Sequence, residues 1–500
     1  MVSCKRAKGS RPRRWGPRLV ASGLVLLVGA ASAAAQGVRV TGVTTSQYIS
    51  IRPIVPDSIP AAEVPGTGEL RRAADGTPVS CRAGDTYCRF YRSADRASTV
   101  PIIQDIDVNA WGFGQGVRFH AQLRGRHAFG SADGLWPRAD DAFDALAVYL
   151  ELDRDRFRLR GGRQWRASGL GFYNFDGASV LVRPIRGLSV DLYGGRGLTR
   201  GLNESRTGGA LEAIEPLAPD DAAYLLGVEA RWRPAPGAAL GAVYQREIRT
   251  DRAGLYSERF ALDGRAALSR ATLTGSLQVD VALEEVNEAL LRADAPMGRG
   301  LGASVEVRRY RPFFELWTIW GAFSPVGHRE VLAGVNWRRG DLDLDLRGGW
   351  RQYDETGKGL SFAPLRDDGW RIMAAGAWRA TPDWLFEAGY RADIGFGAAR
   401  SEGDVGARRE LGESGYVAFR ALAFQRLYEF RVDDGVVLGA GADAGFRIGP
   451  ELTVAGSLYA YRHRDGTGAN AVDWTQLRGA LRLLWAVGRD PGLRGVGGVR

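Results

Sequence analysis

Residues 117–126 read VRFHAQLRGR and alternate without a miss. Val117, Phe119, Ala121, Leu123 and Gly125 take one parity, and Arg118, His120, Gln122, Arg124 and Arg126 take the other. A strand sends successive side chains to opposite faces, so this stretch has one apolar face and one cationic face. The pattern recurs. In DLDLDLRGG, Leu342, Leu344 and Leu346 oppose Asp341, Asp343, Asp345 and Arg347. In GVEARWR, Val228, Ala230 and Trp232 oppose Glu229, Arg231 and Arg233, and in LRGALRLLWAV, Leu477, Leu481, Leu483, Trp485 and Val487 oppose Arg478 and Arg482. A soluble sheet protein also alternates, but its strands are usually about five or six residues long and one core must absorb every apolar face. Alternating segments of about ten residues match strands that cross a bilayer, with the apolar face in lipid and the polar face in a wet lumen.

The N-terminus fits an exported chain. Lys5, Arg6, Lys8, Arg11, Arg13, Arg14 and Arg18 precede the apolar run LVASGLVLLVGA and the small-residue run ASAAAQ. This is the layout of a cleaved secretory signal over residues 1–35, with cleavage expected near Ala35; the alternative is a membrane anchor. Loss of the seven cations would leave 60 basic residues against 57 acidic ones, so the formal charge of +10 overstates the basic character. That argues against nucleic acid as a partner. Cys81 and Cys88, seven apart in an exported chain, read as a disulfide loop. A metal site would need further ligands close by, and none appear.

Residues 36–100 read as a first strand or extension followed by an irregular segment. From 102 to 487 we count twenty strands, including 313–322 and 414–430, within a barrel expected over 101–488 and a tail over 489–500. The tight turns DRDR, RPIRG, RPAPG, RRG and ATPD are separated by longer polar stretches at 196–221, 285–298, 354–368 and 395–413. Short turns at one end and long loops at the other describe a transmembrane antiparallel up-and-down β-barrel. Trp232, Trp337, Trp378 and Trp384 fall at strand ends, where an interfacial aromatic belt belongs. The expected fold is all-β, with 18–22 strands and 20 as the central value. YVAFRALAFQRLYEF is long for one strand and is the place where a hidden turn would upset the count.

No nucleophile elbow, zinc-protease helix, phosphate loop or dinucleotide fingerprint occurs, and His120, His127, His328 and His463 are scattered. The sequence therefore predicts no enzyme, no cofactor and no metal. The inward parity is richer in information. It carries Arg118, Arg124, Arg126, Arg158, Arg160, Arg231, Arg308, Arg347, Arg478 and Arg482, the candidate pore-lining residues. Arginine grips carboxylates and phosphates, and rings of it favour anions. The competing expectation pairs these cations with inward Glu151, Glu229, Glu306, Asp343 and Asp345 as a structural ladder. The stretch 196–221 is a candidate for an inward-folded constriction or a plain surface loop.

Residues 148–183 place GRQ (Gly162, Arg163, Gln164) on one strand and FDGA (Phe175, Asp176, Gly177, Ala178) on the next. This region resembles alginate-export-type outer-membrane porins, and more loosely other bacterial porins, over some 35 residues. The resemblance implies a large barrel with an Arg-rich lumen that passively passes an anionic polysaccharide. It also implies that Arg163, Gln164 and Asp176 flank an extracellular loop at the pore mouth, with a plain structural salt bridge as the alternative. The Cys-bearing segment has no counterpart in that pattern. A receptor with a plug domain finds no plug-like pattern in 36–100. The expected protein is an outer-membrane channel for small polar or anionic solutes, touching outer-membrane lipid; the alternative is a closed structural or adhesin-type barrel.

Overall fold

The structure is a computed structural model. It describes residues 37–488 except 52–53, 69, 75–77, 82–83, 85, 94, 96, 131–142, 199–222, 251–256, 312–326, 355–366, 396–397, 430–434 and 466–473. The strands, in chain order, are β1 (Gly37–Ile51), β2 (Ile54–Pro60), β3 (Leu70–Arg72), β4 (Pro78–Ser80), β5 (Tyr87–Ser93), β6 (Ala97–Trp111), β7 (Val117–Gly130), β8 (Phe143–Asp153) and β9 (Phe157–Ser168). They continue with β10 (Gly171–Ile185), β11 (Leu188–Gly197), β12 (Ala223–Ala235), β13 (Ala238–Arg249), β14 (Ser257–Ala267), β15 (Thr272–Asp280), β16 (Glu285–Gly298), β17 (Leu301–Tyr310) and β18 (His328–Arg339). The last eight are β19 (Leu342–Tyr353), β20 (Asp368–Thr381), β21 (Trp384–Gly395), β22 (Ala398–Glu410), β23 (Gly415–Glu429), β24 (Gly435–Gly449), β25 (Leu452–Asp465) and β26 (Trp474–Gly488).

Strands β1 and β6–β26 form one 22-stranded antiparallel sheet that closes on itself, because β1 pairs with β26 on one side and β6 on the other. The barrel therefore begins at Gly37, not at residue 101. Both termini of the sheet lie at one end, here called the near end. Every near-end connection is two to five residues long, and all five tight turns read from the sequence lie there. The far end carries the long connections.

Nineteen of the twenty expected strands are found and β1, β16 and β22 join them, which puts the barrel two above the central expectation. The stretch 285–298, read as a loop, is β16; its three acids, Arg292 and Pro296 disguise an outward row of Ala289, Leu291, Ala293, Ala295 and Met297. The stretch 395–413 holds β22, whose outward residues are mostly small, so the alternation has little hydrophobic amplitude. Residues 415–429 form one strand with no hidden turn. The expected strand 313–322 lies outside the described residues, as do the signal segment, most of loops 196–221 and 354–368, and the tail.

Cross-strand partners share a face, so the register sorts every side chain. Leu226, Leu240, Leu291, Val305, Val307, Leu346 and Ile372 all face outward and are at least half exposed. A continuous apolar outer wall of this kind is stable against hydrocarbon and not against water. Outward Trp232 and Trp378 lie at the near end, and Trp350 pairs directly with Trp370 toward the far end. They form two aromatic girdles at the levels expected for lipid headgroups.

The segment between β1 and β6, read as irregular, folds into a four-stranded sheet of order β2-β5-β4-β3. It hangs from the far end, where β1 stops and β6 starts. Val64, Val79, Cys81 and Cys88 form its small buried core, with Ile59, Ala61 and Phe90 packed around them. Cys81 and Cys88 are disulfide-bonded, as their spacing predicts.

Candidate functional site

The ten arginines picked from the sequence all carry the inward parity, and the structure divides them. Seven are ion-paired. Arg124 Nε donates to Asp105 Oδ1 at 2.6 Å, and Arg126 bonds Asp144. Arg160 Nε donates to Glu151 at 2.7 Å, with Arg158 at 4.0 Å from the same carboxylate. Arg231 pairs with Glu229, Arg308 with Glu288 at 2.8 Å, and Arg347 with Asp345 at 2.8 Å. Of the acids expected to answer them, Glu306 lies 3.6 Å from Arg292, and Asp343 bonds Arg338. A second network fills the far end of β18–β21: Arg351 reaches Glu330 at 2.7 Å and Asp393 at 3.2 Å, and Arg371 reaches the same two acids. Pairing of this density along the wall keeps each guanidinium fixed and largely neutralised.

The other three differ. Among the described residues, Arg118, Arg478 and Arg482 bond no carboxylate. Arg478 donates to the Gln476 amide oxygen at 3.0 Å and lies over the Tyr461 ring, 5.4 Å from its centre. Arg118 lines a cavity of about 390 Å³ with Arg39, Thr41, Asp107 and Asn109. Arg420 on β23 joins them: it is inward by register, exposed, and without a carboxylate bond among the described residues. Sequence reasoning passed it over because Leu422 and Phe424 share its parity and blur the alternation. These four cations sit on β7, β23 and β26. Most inward arginines from β8 to β22 are ion-paired; Arg265 and Arg400, inward by register and exposed, bond no carboxylate among the described residues.

An inward-folded element is present in the β9–β10 hairpin; the stretch 196–221 singled out from the sequence lies mostly outside the described residues. Strand β9 leaves β8 at the Arg163–Val148 pair, and β10 leaves β11 at the Phe175–Gly197 pair. Beyond those points the two strands pair only with each other, up to Ser168–Gly171. This free hairpin tip turns into the lumen. Leu170, Tyr173 and Phe175 bury against Tyr193, Leu225, Val243 and Ala261, which are inward residues of β11–β14. Gly169 lies so close to the wall that a Cβ there would come within 3.1 Å of the Ala261 methyl. Arg166 locks the tip: its guanidinium reaches Asp191 at 3.0 Å, bonds Glu229 and stacks 4.0 Å from the centre of the Tyr193 ring. Tyr193 Oη in turn donates to Gln245 at 3.1 Å. The bend needs glycine. Gly162 has φ +128°, and a Cβ there would stand 2.3 Å from the Val148 carbonyl oxygen.

The GRQ and FDGA residues fall around this hairpin, in places other than those expected. Gln164 is inward and buried, holding the Gly177 carbonyl and the Ser179 hydroxyl. Arg163 and Asp176 are direct cross-strand partners joined by two hydrogen bonds of 2.8 and 2.9 Å. They stand in mid-strand, and the register places them outward, in line with Leu159 and Val180. They are a structural salt bridge on the outer wall, not a pair at the pore mouth. One residue of parity decides the face, and the resemblance alone did not supply it. Arg166, three residues on, is the luminal arginine of this motif. No sequence signal marked it, because its partners are 25 and 63 residues away. Among the described residues no group of three or more His, Cys, Asp or Glu is placed to hold a metal ion.

No protein-family model and no curated protein sequence matches this chain. Among solved structures it is similar to a BenF-like porin from Pseudomonas fluorescens Pf-5, with 10% identity and a TM-score of 0.38 over 91% of this chain and 100% of that one. It is likewise similar to the outer-membrane protein opdK of Pseudomonas aeruginosa, with 11% identity and a TM-score of 0.37 over 90% and 99%. For OccK3 (OpdO) of the same species the values are 12% and 0.36 over 91% and 97%. Likeness of this degree assigns neither a family nor a cargo.

Proposed function

We propose that the protein is an outer-membrane channel through which small anionic or polar solutes pass down their gradient. The observation that carries this reading is a closed barrel with an apolar outer wall and a charged lumen, in which Arg118, Arg420, Arg478 and Arg482 lack carboxylate partners among the described residues. In this reading the near end, with its short turns and both sheet termini, faces the periplasm and the far end faces the outside. Where arginines and carboxylates pair along the wall, they give no net preference. The inward arginines without carboxylate partners then offer a path on which an anion is stabilised without being held, which is what conduction requires. The inward hairpin reduces the free cross-section. That favours small solutes over the polysaccharide implied by the alginate-type resemblance.

Planar-bilayer recording across a salt gradient tests the reading. We expect steady single-channel conductance with a reversal potential on the anion-selective side. The variant Arg118→Gln/Arg478→Gln/Arg482→Gln should move that potential toward zero. Folded protein that passes no current would overturn the channel and leave a closed structural barrel.

A further inference from the structure

Most arginines of the barrel point inward; among those that face outward are two at the far end of β25. Arg462 and Arg464 share the outward parity of Leu458 and Ala460, opposite Val436 and Leu438 of β24. Both are exposed. Two residues apart on one face, they stand about 7 Å from each other. Neither neighbouring strand offers an acid on that face: β24 presents Val436, Leu438, Ala440, Ala442 and Ala444, and β26 presents Thr475, Leu477, Gly479 and Leu481. No carboxylate among the described residues bonds either guanidinium.

The surface below them is hollow. A groove of about 600 Å³ starts at Arg462 and Tyr48 and runs over Leu438, Ala440, Ala460 and Leu477. A second groove, of about 780 Å³, shares Ala440, Ala460 and Leu477 and continues past Ala442 and Leu458 to Phe419 and Phe386. The two are therefore one trough. From Arg462 to Leu458 alone it descends about 13 Å along β25. It is deep at mid-strand because Ala440 and Ala442 of β24 and Ala460 of β25 stand where other strands carry leucine, valine or tryptophan. Its floor is apolar and its head is a pair of cations.

We propose that this trough binds a phosphorylated, acylated lipid of the outer leaflet, with the phosphate between Arg462 and Arg464 and an acyl chain along Ala440, Ala460 and Leu477. The proposal rests on the membrane orientation given under Proposed function, which puts the far end at the outer leaflet. Two arginines whose Cα atoms stand about 7 Å apart on one face can each direct paired N–H donors at one phosphate, and the strand below supplies hydrocarbon contact. An aqueous anion would use the arginines and leave the trough empty. A lipid uses both.

The test uses the full chain in detergent micelles, with bound lipid read by native mass spectrometry. The probes are bis-phosphorylated lipid A, the same lipid dephosphorylated, and inorganic phosphate as a competitor. We expect lipid A to bind and its dephosphorylated form to bind much more weakly. Arg462→Gln/Arg464→Gln should weaken lipid A by about 25-fold, from roughly fivefold per arginine at an anionic surface. Ala460→Phe, which fills the trough and leaves both cations in place, should also weaken it. Lipid A binding that is unchanged in the double arginine variant would overturn the site. Displacement by inorganic phosphate together with unchanged binding in Ala460→Phe would assign the arginines to a soluble anion and overturn the lipid. Bilayer current is recorded on the same preparations. Lost lipid binding with intact current fails this inference alone, and intact lipid binding without current fails the channel alone.

Discussion

Arg166 holds the free end of the β9–β10 hairpin inside the lumen, and replacing it with alanine should widen the channel. Its side chain is 14% exposed and faces two acids, Asp191 and Glu229, which are 12% and 9% exposed. Breaking a buried ion pair from one side costs about 3–5 kcal/mol. Here the loss is smaller, because Glu229 keeps Arg231 as a partner. Among the described residues Asp191 pairs with no other cation, and its Oδ1 is already without a hydrogen bond. About 2–3 kcal/mol is the reasonable charge for the substitution, and it acts on the equilibrium between the docked tip and a released one. Each 1.4 kcal/mol is about a factor of ten, so the docked-to-released ratio should fall by roughly 30- to 150-fold. Single-channel recording reads this directly: Arg166→Ala should give larger conductance or frequent steps to a larger level. Arg166→Gln should behave similarly, since an amide cannot neutralise two acids. The variant Arg166→Ala/Asp191→Asn should recover part of the effect by removing the stranded charge. Wild-type conductance in Arg166→Ala protein that is fully folded by heat-modifiable gel mobility would refute the idea that this hairpin limits the current.

Three further outcomes are expected. Gly162→Ala meets both a positive φ and the Val148 carbonyl, so it should lower refolding yield by an amount matching about 1–3 kcal/mol of strain, whereas the neighbouring Gly161→Ala, with open space around its Cβ, should refold normally. Cys81→Ser/Cys88→Ser removes a short covalent loop worth about 2.5 kcal/mol, so limited proteolysis should cut within residues 52–96 while the barrel stays protease-resistant. Leu346→Arg puts a cation on the outer wall in mid-strand and should cost about 2–4 kcal/mol in denaturant unfolding from lipid vesicles; equal stability would place Leu346 away from hydrocarbon.

The sequence by itself determined the architecture. Alternation over stretches such as 117–126 and 341–347 is a local property, and in this register it leaves no choice but a closed sheet with unlike solvents on its two faces. The same reasoning found the near-end turns, the girdle tryptophans and the disulfide, because each depends on residues close together in the chain. It faltered where local amplitude was low. Strand β22 shows Ala, Ser and Gly to the outside, and β16 hides its leucine among acids and a proline.

What only the tertiary structure decided is which groups meet. Parity told that Arg118 and Arg160 point inward, but not that Glu151 would be taken by Arg160 and leave Arg118 without a carboxylate. Register between strands sets that, and it is fixed by turns and bulges elsewhere in the barrel. The hairpin is the sharpest case. Nothing within residues 157–185 shows that its tip leaves the wall, because the reason lies in Asp191, Glu229, Val243 and Ala261, which become its neighbours only once β11–β14 have closed the lumen around it. The trough under Arg462 has the same origin: alanines on β24 and β25 are unremarkable singly, and make a cavity only when the register lines them up.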